Sequence, residues 1–388
     1  VLAQAGCGMR PAGLCVVEVE DTLAGLQRLA GAYRRTLTAR VIGVTGSSGK
    51  TTTKDFTFAV LSAQWKGWCT QGNLNNHIGV PLTLLAGRSE HAVAVVEMGM
   101  NHAGEIAPLA EMAIPEVAII TNIGVAHIEF LGSREAIARE KGSLAARVGV
   151  SGTVVLSAGD EFTPLIASLT SARILTAGID AGDLQAVDVS PTEGGSRFGL
   201  CYEGERVEVN LAVPGMHMVC NAALAVAAGV ALGMPLAVAA SGLSGIRLTK
   251  GRMESRVLQG IHFLDDTYNA NPDSMKAALA TLAQWPALGR RIAVLGRMGE
   301  LGSHAEAGHR SVGEAAAAGI DALFTVGAEA EWISDEAWRR GLGDLQHFPD
   351  IPTAAGALKS ELMEGDVVLV KGSRSAQMEH FIEEVIRP

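Results

Sequence analysis

Along the chain, runs of consecutive apolar residues alternate with stretches whose apolar positions recur every three or four residues. The runs VIGVT (41–45), AVAVVEM (92–98), VAIITNI (117–123) and TVVLS (153–157) carry no polar face, the pattern of strands buried on both sides. Helical spacing fills the gaps, over residues 50–63 and 134–148. This alternation predicts an α/β fold with a parallel sheet covered by helices. From about residue 185 to 211 the period shortens to VDVS, SRFGLCYEG and RVEVNLAV with Gly turns, a small antiparallel excursion. Helices are expected again over 217–233 and 235–243. After Gly251 come RVLQGIHFLDD, RIAVLG (291–296), ALFTVG (322–327) and DVVLVKG (366–372), each read as one strand of a smaller, Rossmann-like doubly wound domain.

Upstream lies the short apolar run LCVVEV and a helix from Asp21, with Leu23, Leu26, Leu29, Ala30 and Tyr33 at helical spacing and Asp21 or Thr22 as N-cap. This reads as the last strand and helix of an earlier domain. The expected units are 1–39, a remnant of an N-terminal domain whose start is absent (the chain opens on VLAQAGCGMRPAG, without an initiator Met), then 40–247 and 248–388. Trp65 and Trp68 are expected as packing residues.

Composition narrows the function classes. Of 388 residues, 48% are hydrophobic and 19% charged, enough apolar material for two or three cores and too much for disorder. Lys plus Arg total 31 against 41 Asp plus Glu, a formal charge of −10. That balance argues against a general nucleic-acid or anionic-membrane binder and leaves room only for a local basic pocket. Five scattered cysteines without a C-x-x-C pair read as reduced cytoplasmic thiols, not a disulfide frame or zinc site. No apolar run approaches the roughly 18 residues of a membrane span.

The sharpest chemical signal follows the first of the buried runs. VIGVT leads into GSSGKTTT and a helix beginning near Lys50. Gly46, Ser47, Ser48 and Gly49 form a phosphate cradle of backbone N–H groups, Lys50 reaches the β/γ-phosphates, and the Thr51 hydroxyl faces Mg²⁺, with Thr52 beside it. The strict pattern would place Gly where Val44 stands. Glu97 is expected at the C-terminal edge of the sheet, where open α/β sheets bind ligands and an acid could hold Mg²⁺. Asn122 and His127 follow a third strand on the same edge. Lys141, taken alone, is a solvated helix lysine. Asn73, Asn75 and Asn76 lie in a Gly-Asn loop, where Asn commonly satisfies turn geometry. Asn271-Pro272-Asp273 reads as a helix start with Asp273 as the cap.

TGSSGKTTTK, GNLNNHIGVPLTLL, VEMGMNHAGEI, TNIGVAHIEFLGS and PGMHMVCNAALAVAAG resemble the blocks of the Mur ligases, ATP-dependent amide-forming enzymes of peptidoglycan synthesis. GRME, DDTYNANPDSM and LVKGSRSAQME are similar to the branch that adds D-alanyl-D-alanine to UDP-N-acetylmuramoyl-tripeptide. The resemblance runs from about Val16 to the C-terminus. It implies an ordered reaction in which ATP phosphorylates the peptide carboxylate and the dipeptide amine attacks the acyl phosphate. It implies that Lys50 and Thr51 hold the β/γ-phosphates and one Mg²⁺ with Glu97 as protein ligand. His127 and Lys141 would serve a second Mg²⁺, the lysine as a carbamate. Asn221 would lie beside the adenine, Arg252 at the ATP phosphates, and Asp266, Tyr268 and Asn271 in the nucleotide-contacting turn of the third unit. The Gly-Asn loop, with Asn73 best matched, would face the sugar-peptide. Lys371, Ser373 and Arg374 would face the incoming dipeptide. The chain would act as a monomer.

Two departures stand out: Arg297 replaces an Asp common in the family, and most of the domain expected to bind the UDP moiety is unmatched, which puts UDP recognition in doubt. The competing readings are a related ligase, such as an L-lysine or diaminopimelate adder or a folylpolyglutamate synthase, and a non-catalytic ATP-binding protein of the same fold.

Overall fold

A computed structural model describes residues 1–8, 12–192, 194–246 and 248–387, and the strands described form three sheets. The smallest pairs β1 (Leu2–Gln4) in parallel with β2 (Val17–Val19). The Asp21 side chain caps the following α1 (Thr22–Arg34), accepting from Leu23 N at 2.7 Å and Ala24 N at 3.1 Å. This helix does not bury its leucines as its spacing suggested. Leu29 is 48% exposed, and the buried positions are Gly25, Ala30, Gly31 and Arg34. Small residues let the helix backbone come close, and Arg34 Nε then donates to Ala113 O at 2.8 Å while the Tyr33 hydroxyl donates to Gly87 O at 2.9 Å.

The main sheet takes its strands in chain order as β3 (Arg40–Thr45), β4 (Gly67–Cys69), β5 (Val93–Glu97), β6 (Val117–Ile120), β7 (Thr153–Ser157), β8 (Arg173–Ile179), β9 (Leu184–Thr192), β10 (Gly195–Tyr202) and β11 (Glu205–Leu211). Their spatial order is β11-β10-β9-β8-β7-β6-β3-β5-β4. Pairing is parallel from β4 through β9 and antiparallel across β9, β10 and β11. The antiparallel excursion is thus an extension of the main sheet, joined through β8, which hydrophobic periodicity had not separated from its surroundings. Helices α2 (Lys50–Ser62), α3 (Gly79–Leu85), α4 (Ile106–Ala113), α5 (Ile128–Leu131), α6 (Arg134–Ala145), α7 (Thr163–Ala167), α8 (Met216–Ala231) and α9 (Leu236–Ser241) accompany it. Ile42 and Val44 of β3 enter a core with Phe56, Val60, Ala223 and Ala227, whereas Val41 enters the opposite core with Leu109, Ile137 and Leu144. Burial on both faces is why the strand reads as an unbroken apolar run.

The third sheet contains β12 (Glu254–Leu258), β13 (Ile261–Asp266), β14 (Arg291–Gly296), β15 (Ala322–Val326), β16 (Leu345–Phe348) and β17 (Val367–Lys371), in the order β12-β13-β17-β14-β15-β16. It is parallel except for β12. RVLQGIHFLDD is therefore a hairpin and not one strand. Gln259 (φ 53°) and Gly260 (φ 76°) both adopt the left-handed conformation of a two-residue hairpin turn. Helices α10 (Pro272–Ala283), α11 (Ala305–Ala317), α12 (Glu331–Arg339), α13 (Ile351–Leu358) and α14 (Glu379–Val385) complete this unit. Between the two large sheets, Asp55 on α2 accepts from Thr249 N at 3.0 Å and Thr249 Oγ1 at 2.9 Å, fixing the connecting segment to the phosphate-loop helix. The chain is α/β throughout, with a central parallel-sheet unit and a smaller C-terminal one.

Candidate active site

In the main sheet, β3 is followed on one side by β5 and β4 and on the other by β6. The C-terminal ends of β3 and β6 therefore flank a point where strand order reverses, the place where open α/β sheets form a ligand crevice. The loop 46–49 sits there. Val44, where a strict phosphate-loop pattern has Gly, is still in β3 and fully buried, so the loop proper begins at Gly46. Gly46 is required by contact: a Cβ would lie 1.8 Å from Thr121 Oγ1. Gly49, at φ 77°, precedes Lys50 and leaves the start of α2 without a side-chain cap. The loop is braced from β6 and its exit: Ser47 N donates to Asn122 O (2.9 Å), Ser48 N to Asn122 Oδ1 (3.0 Å), and Thr121 Oγ1 and Asn122 Nδ2 donate to Ser48 O (2.5 and 3.0 Å). These bonds occupy the Ser47 and Ser48 N–H groups expected in the cradle, so the donors for an anion are those of the first turn of α2 with its positive end. Thr51 and Thr52, on the first turn of α2, are both buried.

Lys50 Nζ folds back onto Gly46 O at 2.8 Å. Burial pulls its pKa below the ordinary lysine value, the Glu97 and Glu300 charges oppose that, and Arg252 reinforces it. Glu97, 1% exposed at the end of β5, accepts from Asn75 Nδ2 at 2.7 Å through Oε1, while its Oε2 is buried with no hydrogen-bond partner. Ser47 Oγ is orphaned in the same way. Unsatisfied buried acceptors are costly unless something else supplies the missing contact.

Lys141 is no solvated lysine: it is 1% exposed on α6. Burial first, then the Lys50 charge, drive its pKa well below the usual range, with Glu140 opposing. Glu140 itself is spent on backbone, accepting from Gly104 N and Ile106 N at 2.8 Å each. His127 heads α5 at φ 64°, and its Nδ1 lies 2.7 Å from Glu300 Oε2 of the C-terminal unit. Burial lowers the His127 pKa against the pull of Glu300. Glu300 had not been singled out; it sits in the VLGRMGELG block, three residues beyond the remarked Arg297.

The C-terminal unit closes the crevice. Arg252 reaches Thr51 Oγ1 at 3.3 Å and stacks on the Tyr268 ring at 4.0 Å. Asn271 is the true cap of α10, accepting from Ser274 N at 2.9 Å, and its Nδ2 donates to Ser48 Oγ at 2.9 Å. Asp273 does not cap the helix as expected, because it lies inside the first turn and points across to the loop after β6. Asn221 on α8 packs against the phosphate loop, 2.8 Å from where a Cβ on Gly49 would stand.

Several expected donors are arranged differently. Within the Gly-Asn loop, Asn75 Nδ2 donates to Glu97, while Asn73, expected to face the sugar-peptide, is exposed. Asn76 caps α3 through Oδ1, accepting from Ile78 N (3.1 Å) and Gly79 N (2.9 Å). Lys371, expected to face the dipeptide, has its ammonium occupied by Asp266 Oδ2 (2.6 Å) and Asn269 O (2.9 Å), which makes it a brace for the 266–271 turn. Ser373 is buried and linked to Ser375 Oγ at 3.1 Å. Arg374 is 62% exposed and paired with Glu379 at 2.8 Å. Arg297 pairs with Glu329 at 3.5 Å and donates to Ser375 Oγ at 3.0 Å.

Two nucleotide-fold units meeting over a phosphate loop define a class, and sequence comparison supplies its name. Residues 44–229 match the Mur ligase middle domain and residues 251–374 match the Mur ligase glutamate ligase domain. The chain belongs to the Mur ligase family. It is 40% identical over 382 residues to the UDP-N-acetylmuramoyl-tripeptide–D-alanyl-D-alanine ligase of Bacillus subtilis, covering 97% of this chain and 82% of that protein. The Escherichia coli enzyme of the same name is 38% identical over 371 residues, covering 94% and 80%. Among solved structures, MurF from Acinetobacter baumannii superposes with a TM-score of 0.88 at 34% identity, over 97% of this chain and 83% of that one. MurF ligase from Thermotoga maritima in complex with ADP gives 0.87 at 28% identity, over 97% and 87%.

Proposed function

We propose that the chain is an ATP-dependent ligase that joins D-alanyl-D-alanine to UDP-N-acetylmuramoyl-tripeptide in peptidoglycan precursor synthesis, through an acyl phosphate, with residues 40–247 and 248–388 as its two working units. The observation that carries the reading is the charge state of the crevice: Lys50 and Lys141 lie beside the phosphate loop, both desolvated, and neither has a salt-bridge partner among the described residues. Lys50 is placed to receive an anion that arrives with the substrates.

The start of α2, held in place by loop 46–49, binds phosphate oxygens through backbone N–H groups, and Lys50 neutralises charge as the terminal phosphoryl group moves to the peptide carboxylate. Arg252 approaches the same oxygens from the C-terminal unit. Among the described residues no cluster of three or more His, Cys, Asp or Glu is placed to hold a metal. Mg²⁺ nonetheless fits, because it takes most of its ligands from phosphates and water, and the orphaned Glu97 Oε2, whose charge is felt by Lys50, would supply a protein oxygen together with the Thr51 hydroxyl. When bound, Mg²⁺ supplies charge neutralisation at the phosphates. His127 and Lys141 would hold a second ion. The lowered pKa favours the neutral Lys141 amine, the form whose nitrogen lone pair adds to CO₂ and then loses a proton to give an anionic carbamate. Asn75 orients Glu97, and Asn221, Asp266, Tyr268 and Asn271 line the nucleotide side.

A product assay tests this. Incubated with UDP-N-acetylmuramoyl-tripeptide, D-alanyl-D-alanine and Mg-ATP, the chain should form UDP-pentapeptide with one phosphate released per amide. Turnover with L-lysine or diaminopimelate in place of D-alanyl-D-alanine, and none with the dipeptide, would overturn the acceptor.

A further inference from the structure

The two units touch around the crevice through Arg252, Asn271 and Glu300, all of which face the phosphate loop or His127. Asp273 makes a separate contact. Its Oδ2 accepts from Val125 N at 3.1 Å, across 148 positions of chain. The approach depends on Gly124, where a Cβ would stand 2.0 Å from that oxygen. Gly124 is buried and has an ordinary φ, and its other neighbour, Ser47 Cβ, would be at a normal 3.5 Å. On the other side, Ile123 N donates to Asp160 Oδ2 at 2.6 Å. Loop 123–127, which carries His127, is therefore gripped by one carboxylate from its own unit and one from the C-terminal unit.

We propose that Asp273 is a positioning residue, a latch that holds loop 123–127 when the C-terminal unit is docked and so sets where His127 stands relative to Lys50 and Lys141. As an acid in the first turn of α10, Asp273 would also favour its own helix, but that role has no use for Gly124. The latch makes the two positions one device. An alanine at 124 displaces a flexible carboxylate rather than backbone, so it should release the latch without disturbing the fold. The kinetic part of the proposal rests on the ligase reading above; the structural part does not.

The test uses the full chain with Asp273→Ala, Asp273→Asn, Gly124→Ala and the Asp273→Ala/Gly124→Ala pair, read by amide hydrogen exchange and by ligation kinetics. Losing one hydrogen bond to a charged acceptor should raise exchange in the segment spanning 123–127 by about tenfold in Asp273→Ala. Gly124→Ala should match it, and the double variant should be no worse than either, because both changes remove one contact. Asp273→Asn keeps an acceptor oxygen and should remain near wild type. The ratio kcat/KM should follow the same order. Unchanged exchange in Asp273→Ala, a wild-type Gly124→Ala, additive effects in the pair, or an Asn variant as severe as Ala would each overturn the latch. Faster exchange in a chain that ligates nothing would support the latch and discard the ligase reading.

Discussion

The two sides of the crevice hold their charges in opposite ways. On the central unit, Lys50 and Lys141 are desolvated without carboxylate partners and Glu97 has one oxygen orphaned. On the C-terminal unit, Lys371 is locked to Asp266 at 2.6 Å, Arg374 to Glu379 at 2.8 Å and Arg297 to Glu329 at 3.5 Å, so each of these cations has a carboxylate, although Arg252 Nε and Glu379 Oε2 are left without a hydrogen-bond partner. A buried charge without a partner raises the energy of the folded chain, whereas a complete network merely holds shape. The incomplete side is thus where ligands are expected to act, and the completed side is scaffold that delivers Arg252, Asn271 and Glu300 to it. Residue type alone does not separate the two, since each has a buried lysine at the end of its sequence block.

The strongest challenge to this contrast is Lys50→Ala. It should lower ligation by at least about a hundredfold, the scale of losing a transition-state charge, while thermal stability holds or rises because a desolvated cation has gone. Lys141→Ala should be comparably inactive, partly rescued by a small carboxylate, and should lack the carbamate carbon signal expected of the wild type after ¹³CO₂ labelling. Near-normal turnover in a folded variant of either would remove that lysine from the site.

Much of the central side was legible in the sequence because its signals are local. Strand, Gly-rich loop, Lys-Thr and helix start are contiguous, so Gly46 to Thr52 could be placed without tertiary information. The α/β class followed from unbroken apolar runs, each buried on both faces. What local sequence cannot show is what depends on a distant partner. Whether Lys371 is a ligand donor or a brace depends on Asp266, far away in sequence. Asn73 and Asn75 are equivalent as turn formers, and only the proximity of Glu97 separates them. In α1 the leucines drew attention, yet close approach is made through Ala30 and Gly31, which periodicity scores weakly. Gln259-Gly260 was a missed local signal, a turn hidden inside an otherwise apolar run, as were the strands β8 and β16. Lys141 became legible only through family resemblance, since nothing in its own helix shows burial.

On the completed side, the expected damage is to stability. Lys371→Met leaves the Asp266 carboxylate buried and unpaired, which should cost about 3 kcal/mol in chemical denaturation. The Lys371→Met/Asp266→Asn pair should recover part of that loss. A Lys371→Met chain as stable as wild type would mean that this side is no more self-sufficient than the other. Next to this pair, His217 provides a pH test. Burial lowers its pKa to about 4, with Asp266 opposing and Lys371 reinforcing. Between the ordinary 6.5 and about 4 the unfolded chain binds a proton that the folded chain refuses, so stability should fall as pH drops through that window. His217→Gln should flatten this part of the pH–stability curve. A variant with the same acid slope as wild type would show that His217 takes up its proton in the folded chain as readily as in the unfolded one.

The smallest effect is expected at Arg374. The resemblance places it near the dipeptide, but in the structure its guanidinium is 62% exposed and already paired with Glu379. With the guanidinium largely in water, such a pair contributes about 1 kcal/mol at most, because water and salt compete for Arg374. Its link to the turn runs through backbone, Arg374 N donating weakly to Asn269 Oδ1 at 3.4 Å, and an alanine keeps that N–H. Arg374→Ala should therefore leave the denaturation midpoint nearly unchanged and raise the KM for D-alanyl-D-alanine by less than about threefold, a change of under 1 kcal/mol, with kcat unaffected. Glu379→Gln distinguishes the alternatives. If the pair is only a surface contact, the Gln variant is silent as well. If Arg374 must leave Glu379 to meet the dipeptide carboxylate, removing the competing acid should lower KM, and Arg374→Ala should raise it more than tenfold. That outcome would move Arg374 from the completed side of the crevice to the incomplete one.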